Sequence, residues 1–153
     1  MAYTFTQIYI QCVFAVQNRN SLVKSEWKDD LYKYITGIVQ NNKHKLIAIN
    51  GMPNHIHLFV GYKPHQLISD LLQDVKGSSS KWINKNKFVK GGFNCQERYS
   101  AFSYSHSQMD KVVRYINNQQ LHHKKQTFHD EYVQLLKIFN VSFEEKYILE
   151  DVV

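Results

Sequence analysis

Cysteine is scarce in this chain: Cys12 and Cys95 are the only two in 153 residues. They lie too far apart to form a pair with metal-ligand spacing, and both read as free core thiols. No Gly-x-x-x-x-Gly-Lys segment is present, so that phosphate-cradling loop is excluded. No apolar run approaches the roughly 20 residues that a membrane span requires. The start, Met1-Ala2-Tyr3-Thr4-Phe5, shows no basic segment followed by an apolar one. A cytoplasmic protein without a membrane partner is the expectation. Internal repeats, low-complexity tracts and a dividing linker are also missing, so one domain over residues 1–153 is expected.

What is present suits a packed core, with 43% hydrophobic, 14% aromatic and 21% charged residues, a balance far from that of a disordered chain. The formal charge of +6 and a sequence pI of about 9.2 point to polyanionic partners without choosing among DNA, RNA and anionic lipid.

Two periodicities organise the chain. Ile8, Ile10, Cys12 and Phe14 alternate at the strand period within residues 4–14, whereas Trp27, Leu31, Tyr34, Ile35 and Ile38 recur at helical spacing between Ser25, a candidate N-cap, and Asn41. Lys45–Ile49 and His55–Val60 read as a hairpin around Asn50-Gly51-Met52-Pro53-Asn54. A second helix is predicted over Gln66–Asn86, with a bend or break at Gly77-Ser78-Ser79-Ser80. A strand over Tyr99–Tyr104, a helix over Ser107–Lys124 and a last helix over His129–Phe139 before an acidic tail complete the reading. Strand, helix, strand, strand, helix, strand is the order of an α+β, ferredoxin-like (RRM-like) sandwich: an antiparallel sheet with helices on one face, followed here by a C-terminal helix.

Two short motifs carry chemistry. His55 and His57 lie two residues apart on a strand, so both imidazoles project from one face while Ile56, Leu58 and Val60 project from the other. With helices on only one face, the histidine face is expected to be open to a ligand or metal. A histidine pair of this kind also occurs by chance on sheet surfaces. In Tyr115-Ile116-Asn117-Asn118-Gln119, helical spacing brings a phenol and an amide to one side. A tyrosine packing its ring on a sheet is the ordinary alternative. Tyr99 and Tyr104 fit a strand pattern, and of the tyrosines read as helical, Tyr34 and Tyr132 have Ile38 and Leu136 four residues on where Tyr115 has the oxygen-bearing Gln119.

Taken together, these segments resemble the single-tyrosine HUH transposases of the insertion-sequence 200/605 group. Met52-Pro53-Asn54-His55-Ile56-His57-Leu58 is similar to the HUH segment, and Tyr115-Ile116-Asn117-Asn118-Gln119-Gln120 with His122-His123-Lys124-Lys125 is similar to the catalytic helix. Ser79–Ile83 and Tyr99–Ser103 are similar to intervening segments, whereas Cys95-Gln96-Glu97-Arg98 departs from the aromatic residue and glycine often found there. The resemblance implies a homodimer with its active site shared between subunits, acting on single-stranded DNA with hairpin ends. It implies Tyr115 as nucleophile and a 5′-phosphotyrosine intermediate. A metal held by His55, His57 and Gln119 would polarise the phosphodiester. Three neutral ligands with open positions suggest modest affinity and Mg²⁺ or Mn²⁺.

Lys76, Lys81, Trp82 and Lys85 mix cations with an aromatic ring, a combination suited to phosphate contact and base stacking and equally to a solvated helix face. Two other functions fit the same fold. One is a non-catalytic single-stranded nucleic-acid binder that needs neither Tyr115 nor a metal; the other is a hydrolase using His55 and His57 to activate water.

Overall fold

The computed structural model describes residues 5–16 and 22–144. Residue 4 of the expected opening strand and the acidic tail from residue 145 onward lie outside these, and residues 5–8, expected as strand, precede one that begins at Tyr9. Four strands, β1 (Tyr9–Val16), β2 (Lys45–Met52), β3 (His55–Gly61) and β4 (Cys95–Tyr104), form one antiparallel sheet in the order β2-β3-β1-β4. With α1 (Lys28–Asn41) after β1 and α2 (Ile68–Lys85) after β3, this is the expected ferredoxin-like arrangement.

Alternation along the strands builds two different faces. Ile10, Cys12, Phe14 and Val16 of β1 and Ile56, Leu58 and Val60 of β3 point to one side, where they pack against α1 through Leu31, Ile35 and Val39 and against α2 through Leu71, Leu72 and Val75. The opposite face was expected to be open, and it is roofed. There α3 (Met109–Asn117) lays Val112 and Ile116 on Phe59 and Ala48, and α5 (Phe128–Ile138) lays Phe128, Tyr132, Leu135 and Leu136 on Val13, Ala15 and Phe102. The physical reason is that this face is itself apolar at Val13, Ala15, Phe59 and Phe102 and gains from removing that surface from water.

Local expectations also shift. The first helix starts at Lys28 with Trp27 at its N-cap position and no side-chain cap, so Ser25 does not serve as one. Helix α2 runs through Gly77–Ser80 without a break. Ser78 Oγ bonds the Asp74 carboxylate and Ser80 Oγ bonds the Lys76 carbonyl, one turn back in each case, so these two hydroxyls are satisfied inside the helix, whereas the Ser79 hydroxyl is buried without a hydrogen-bond partner among the described residues. The helix expected over Ser107–Lys124 is divided instead: a 3₁₀ turn at His106–Gln108, then α3, then α4 (Gln119–His122) after an interruption at Asn118 (φ −102°, ψ 22°). Asn50 Nδ2 donates to the carbonyls of Ile116 (2.9 Å) and Asn117 (3.2 Å), holding the end of α3.

The β2–β3 turn is tighter than its sequence suggests, because pairing continues through Met52↔His55 and leaves only Pro53-Asn54 outside the strands. Gly51 makes this closeness feasible: a Cβ there would lie 2.2 Å from the His55 carbonyl oxygen. Gly51→Ala should therefore destabilise the protein by about 2 to 3 kcal/mol through forced displacement of the hairpin, read as a lower denaturant midpoint with unchanged slope; an unaltered midpoint would mean that the turn relaxes freely.

Candidate metal and tyrosine site

The register fixes the histidines before any chemistry is considered. His57 lies opposite Val13 and His55 opposite Ala15 across β1, so both imidazoles emerge beneath the helical roof. Both are 0% exposed, as is Gln119 of α4, and Glu131 of α5 is 1% exposed. Glu131 was not singled out from sequence. It occupies the apolar stripe of α5 together with Phe128, Tyr132 and Leu135, and a carboxylate at such a position is the signal that marks it.

Around this carboxylate the candidate residues converge. Oε1 of Glu131 lies 3.1 Å from His57 Nε2, 3.3 Å from His55 Nε2 and 3.1 Å from His123 Nε2. Oε2 accepts from Gln119 Nε2 at 3.0 Å and from the Tyr115 hydroxyl. Gln119 Oε1 stands 3.1 Å from His55 Nε2. The Tyr115 ring meets His57 edge-on, with centroids 6.0 Å apart and planes at 81°, and lies 4.6 Å from the His122 ring. One chain thus brings Tyr115, His55, His57 and Gln119 together, although the Tyr115–Gln119 spacing crosses the interruption at Asn118.

Behind the first ring of contacts stands Gln11, fully buried on β1. Its Nε2 donates to His57 Nδ1 at 2.9 Å, and its Oε1 accepts from the Tyr104 hydroxyl at 2.6 Å. His57 therefore carries its proton on Nε2 and donates it to Glu131. An ion at Nε2 would move that proton to Nδ1, which a turned Gln11 amide accepts.

Electrostatics follow from burial. Desolvation pushes the His55 pKa down from 6.5 to about 4, outweighing the Glu131 hydrogen bond that acts the other way. Burial also opposes ionisation of Glu131, but hydrogen bonds from His123, His55 and His57 overcome it and hold the carboxyl below its usual range. The Tyr115 phenol is pushed above its ordinary range by burial and then by the Glu131 charge, so it is un-ionised in this arrangement.

The donor set fits a divalent ion. His55, His57 and Glu131 each offer a ligand atom, all within 4.8 Å of one another. Two donors bound at about 2.1 Å to one ion and set about 95 to 110° apart are separated by about 3.1 to 3.4 Å, which matches the 3.1 and 3.3 Å contacts between Glu131 and these imidazoles. An ion at His55 Nε2 would displace the hydrogen given to Glu131 onto Nδ1, where Asn54 Oδ1 at 2.8 Å accepts it. The carboxylate also revises the expectation of an all-neutral ligand set.

The expected DNA-contact residues lie elsewhere. Helix α2 packs on the other face of the sheet from His55 and His57. Lys76 donates to the carbonyls of Gln96 (3.1 Å) and Glu97 (2.8 Å), tying α2 to β4, and Trp82 stacks on Tyr34 at 5.1 Å. Lys81 and Lys85 are exposed.

Against this geometry the comparisons are direct. The transposase IS200-like family model matches residues 4–119, so the chain belongs to the IS200-like transposase family. It is 24% identical over 118 residues to the ISDra2 transposase TnpA of Deinococcus radiodurans, a match spanning 74% of this chain and 84% of that one. A crystal structure of a candidate transposase from Deinococcus radiodurans R1 shares the fold with a TM-score of 0.61 and 24% identity, covering 78% of this chain and 95% of the other. A REP-associated tyrosine transposase bound to a REP hairpin does so with a TM-score of 0.58 and 15% identity, over 80% and 72% of the two chains. Among the described residues no helix is long and apolar enough to cross a membrane.

Because the folded-state pKa of His55 is depressed, its contribution to stability is full above 6.5 and is lost as pH falls towards about 4, where the unfolded chain takes up a proton that the folded chain resists. The melting temperature of the metal-free protein should fall across this window, and the fall should be shallower in His55→Gln. Equal slopes for the two proteins would remove His55 as the source.

Proposed function

We propose that this transposase cleaves and rejoins single-stranded DNA at insertion-sequence ends through a 5′-phosphotyrosine on Tyr115, with a divalent ion held by His55, His57 and Glu131 and within reach of Gln119. The observation that carries this reading is the Tyr115 hydroxyl bonded to the same carboxylate that the two histidines share. A binder without catalysis does not require a phenol bonded to that carboxylate.

The ion would supply Lewis-acid stabilisation of charge on a non-bridging phosphate oxygen. The chain supplies the rest. Tyr115 gives up its proton, for which Glu131 Oε2 is the bonded acceptor, and its oxygen attacks phosphorus while the bond to the 3′-oxygen breaks. The 3′-oxygen takes up the proton that Glu131 received and leaves as a free 3′-hydroxyl, and a later strand end reverses the exchange, so no nucleotide cofactor is consumed. Ligand preference favours Mn²⁺ over Mg²⁺ at imidazoles, while availability favours Mg²⁺ in cells. Chelation by EDTA should stop cleavage, and Mn²⁺ should restore it.

Basic charge and the need for an exposed backbone support single-stranded DNA with hairpin ends as the substrate, and the solved REP-associated relative is bound to a REP hairpin. Lys81 and Lys85 are the exposed cations of the expected contact set, whereas Lys76 and Trp82 are committed to β4 and Tyr34. Charge removal at Lys81 and Lys85 together should weaken binding and reduce the salt slope by about 2. An unchanged slope would place the DNA on another surface.

Tyr115→Phe keeps the ring and loses the attacking oxygen, so it should bind labelled single-stranded DNA and give no covalent adduct on a denaturing gel with Mn²⁺. Persistence of the adduct would reject Tyr115. The homodimer with a shared site is tested by mixing Tyr115→Phe with His57→Ala under subunit exchange. Recovered cleavage shows sharing between subunits; no recovery among demonstrated heterodimers shows that each chain uses its own Tyr115.

A further inference from the structure

Helix α4 meets the nucleophile from both of its ends. Gln119 begins this helix and His122 closes it, one turn apart. The Gln119 amide shares Glu131 Oε2 with the Tyr115 hydroxyl, while the His122 ring lies against the Tyr115 ring, with centroids 4.6 Å apart and planes inclined at 30°. His122 Nε2 is buried there without a hydrogen-bond partner among the described residues. His44, His55, His57 and His123, by contrast, each have a partner at both ring nitrogens.

We propose that His122 is a further catalytic residue, whose Nε2–H donates to a non-bridging oxygen of the scissile phosphodiester as Tyr115 attacks. This rests on the reading of Tyr115 as the nucleophile. A polar nitrogen taken out of water without a partner is costly, and a catalytic role is one of the few reasons to keep one. Trp27 Nε1 and Ser79 Oγ are also buried without partners, but they lie on the side of the sheet covered by α1 and α2, away from His55 and His57. Contact with the nucleophile is what singles out His122.

Phosphoryl chemistry calls for such a donor. Charge in the transition state spreads over both non-bridging oxygens, so Lewis-acid stabilisation at one leaves the other to a protein group. Phosphate oxygens only accept, and an imidazole can carry a hydrogen on Nε2 whether neutral or charged, so the bond is open to His122 in either state. No proton changes hands at His122, because the Tyr115 proton passes through Glu131. A phosphodiester brought to the Tyr115 hydroxyl arrives beside the imidazole on its ring, and a hydrogen bond that strengthens as charge grows raises the rate more than the affinity.

The test is the rate of adduct formation by the full chain on labelled single-stranded DNA, in a single turnover at saturating DNA and Mn²⁺. His122→Phe keeps a ring on Tyr115 and removes the nitrogen, so the adduct should form about 10- to 100-fold more slowly. DNA and Mn²⁺ affinities should stay within about twofold of wild type. His122→Gln returns an N–H donor to the same place and should recover most of the rate. A wild-type rate in His122→Phe, or equal slowing in the two variants, overturns the donor role. In Tyr115→Phe, which should bind without cutting, the His122 Nε2 resonance should shift when the same DNA is added. An unmoved resonance overturns the proposal even if His122→Phe fails to fold, which circular dichroism reports. No adduct in wild type overturns the reading of Tyr115 beneath it.

Discussion

A carboxylate taken out of water is costly unless its charge is answered, and Glu131 is answered on both oxygens. Three imidazoles meet Oε1, while an amide and a phenol meet Oε2. That constraint links elements remote in sequence. It joins β3 through His55 and His57, α3 through Tyr115, α4 through Gln119 and His123, and α5 through Glu131 itself. The apolar contacts of α3 and α5 with the sheet bring the roof down, and the polar cluster decides its alignment.

The same closure has a functional cost. With His55, His57 and Gln119 wholly buried, a phosphodiester reaches them only when part of the roof moves. The chain is interrupted near the site at Asn118 and again between α4 and α5. Tyr115 and Gln119 lie on opposite sides of the Asn118 interruption, so a change of angle there would alter the distance between nucleophile and amide. Asn50 resists such a change by holding the carbonyls of Ile116 and Asn117 from the β2–β3 hairpin.

Sequence carried the sheet well because its strands announce themselves locally: the alternation of Ile10, Cys12 and Phe14, and of Ile56, Leu58 and Val60, needs no distant partner to be recognised. The pairing of His55 with His57 on one face followed from the same period. What escaped was tertiary. The second apolar face of β1, at Val13 and Ala15, contradicted an open sheet, and Glu131 and Gln11, polar residues at core positions, marked the interior of the site. Asn117-Asn118 are weak helix formers, yet it is the competing bonds from Asn50 that show where α3 ends. The Gly77–Ser80 tract misled in the other direction, since propensity alone does not register serines that bond back into their own helix.

The most direct measurement is an anomalous-scattering map from crystals of the protein soaked in Mn²⁺. The expected result is one peak within about 2.5 Å of His55 Nε2, His57 Nε2 and Glu131 Oε1, with the Tyr115 hydroxyl beside it. Absence of a peak at full Mn²⁺ saturation, with Glu131 still bonded directly to the imidazoles, would contradict a metal-assisted tyrosine site and leave the cluster a purely structural one.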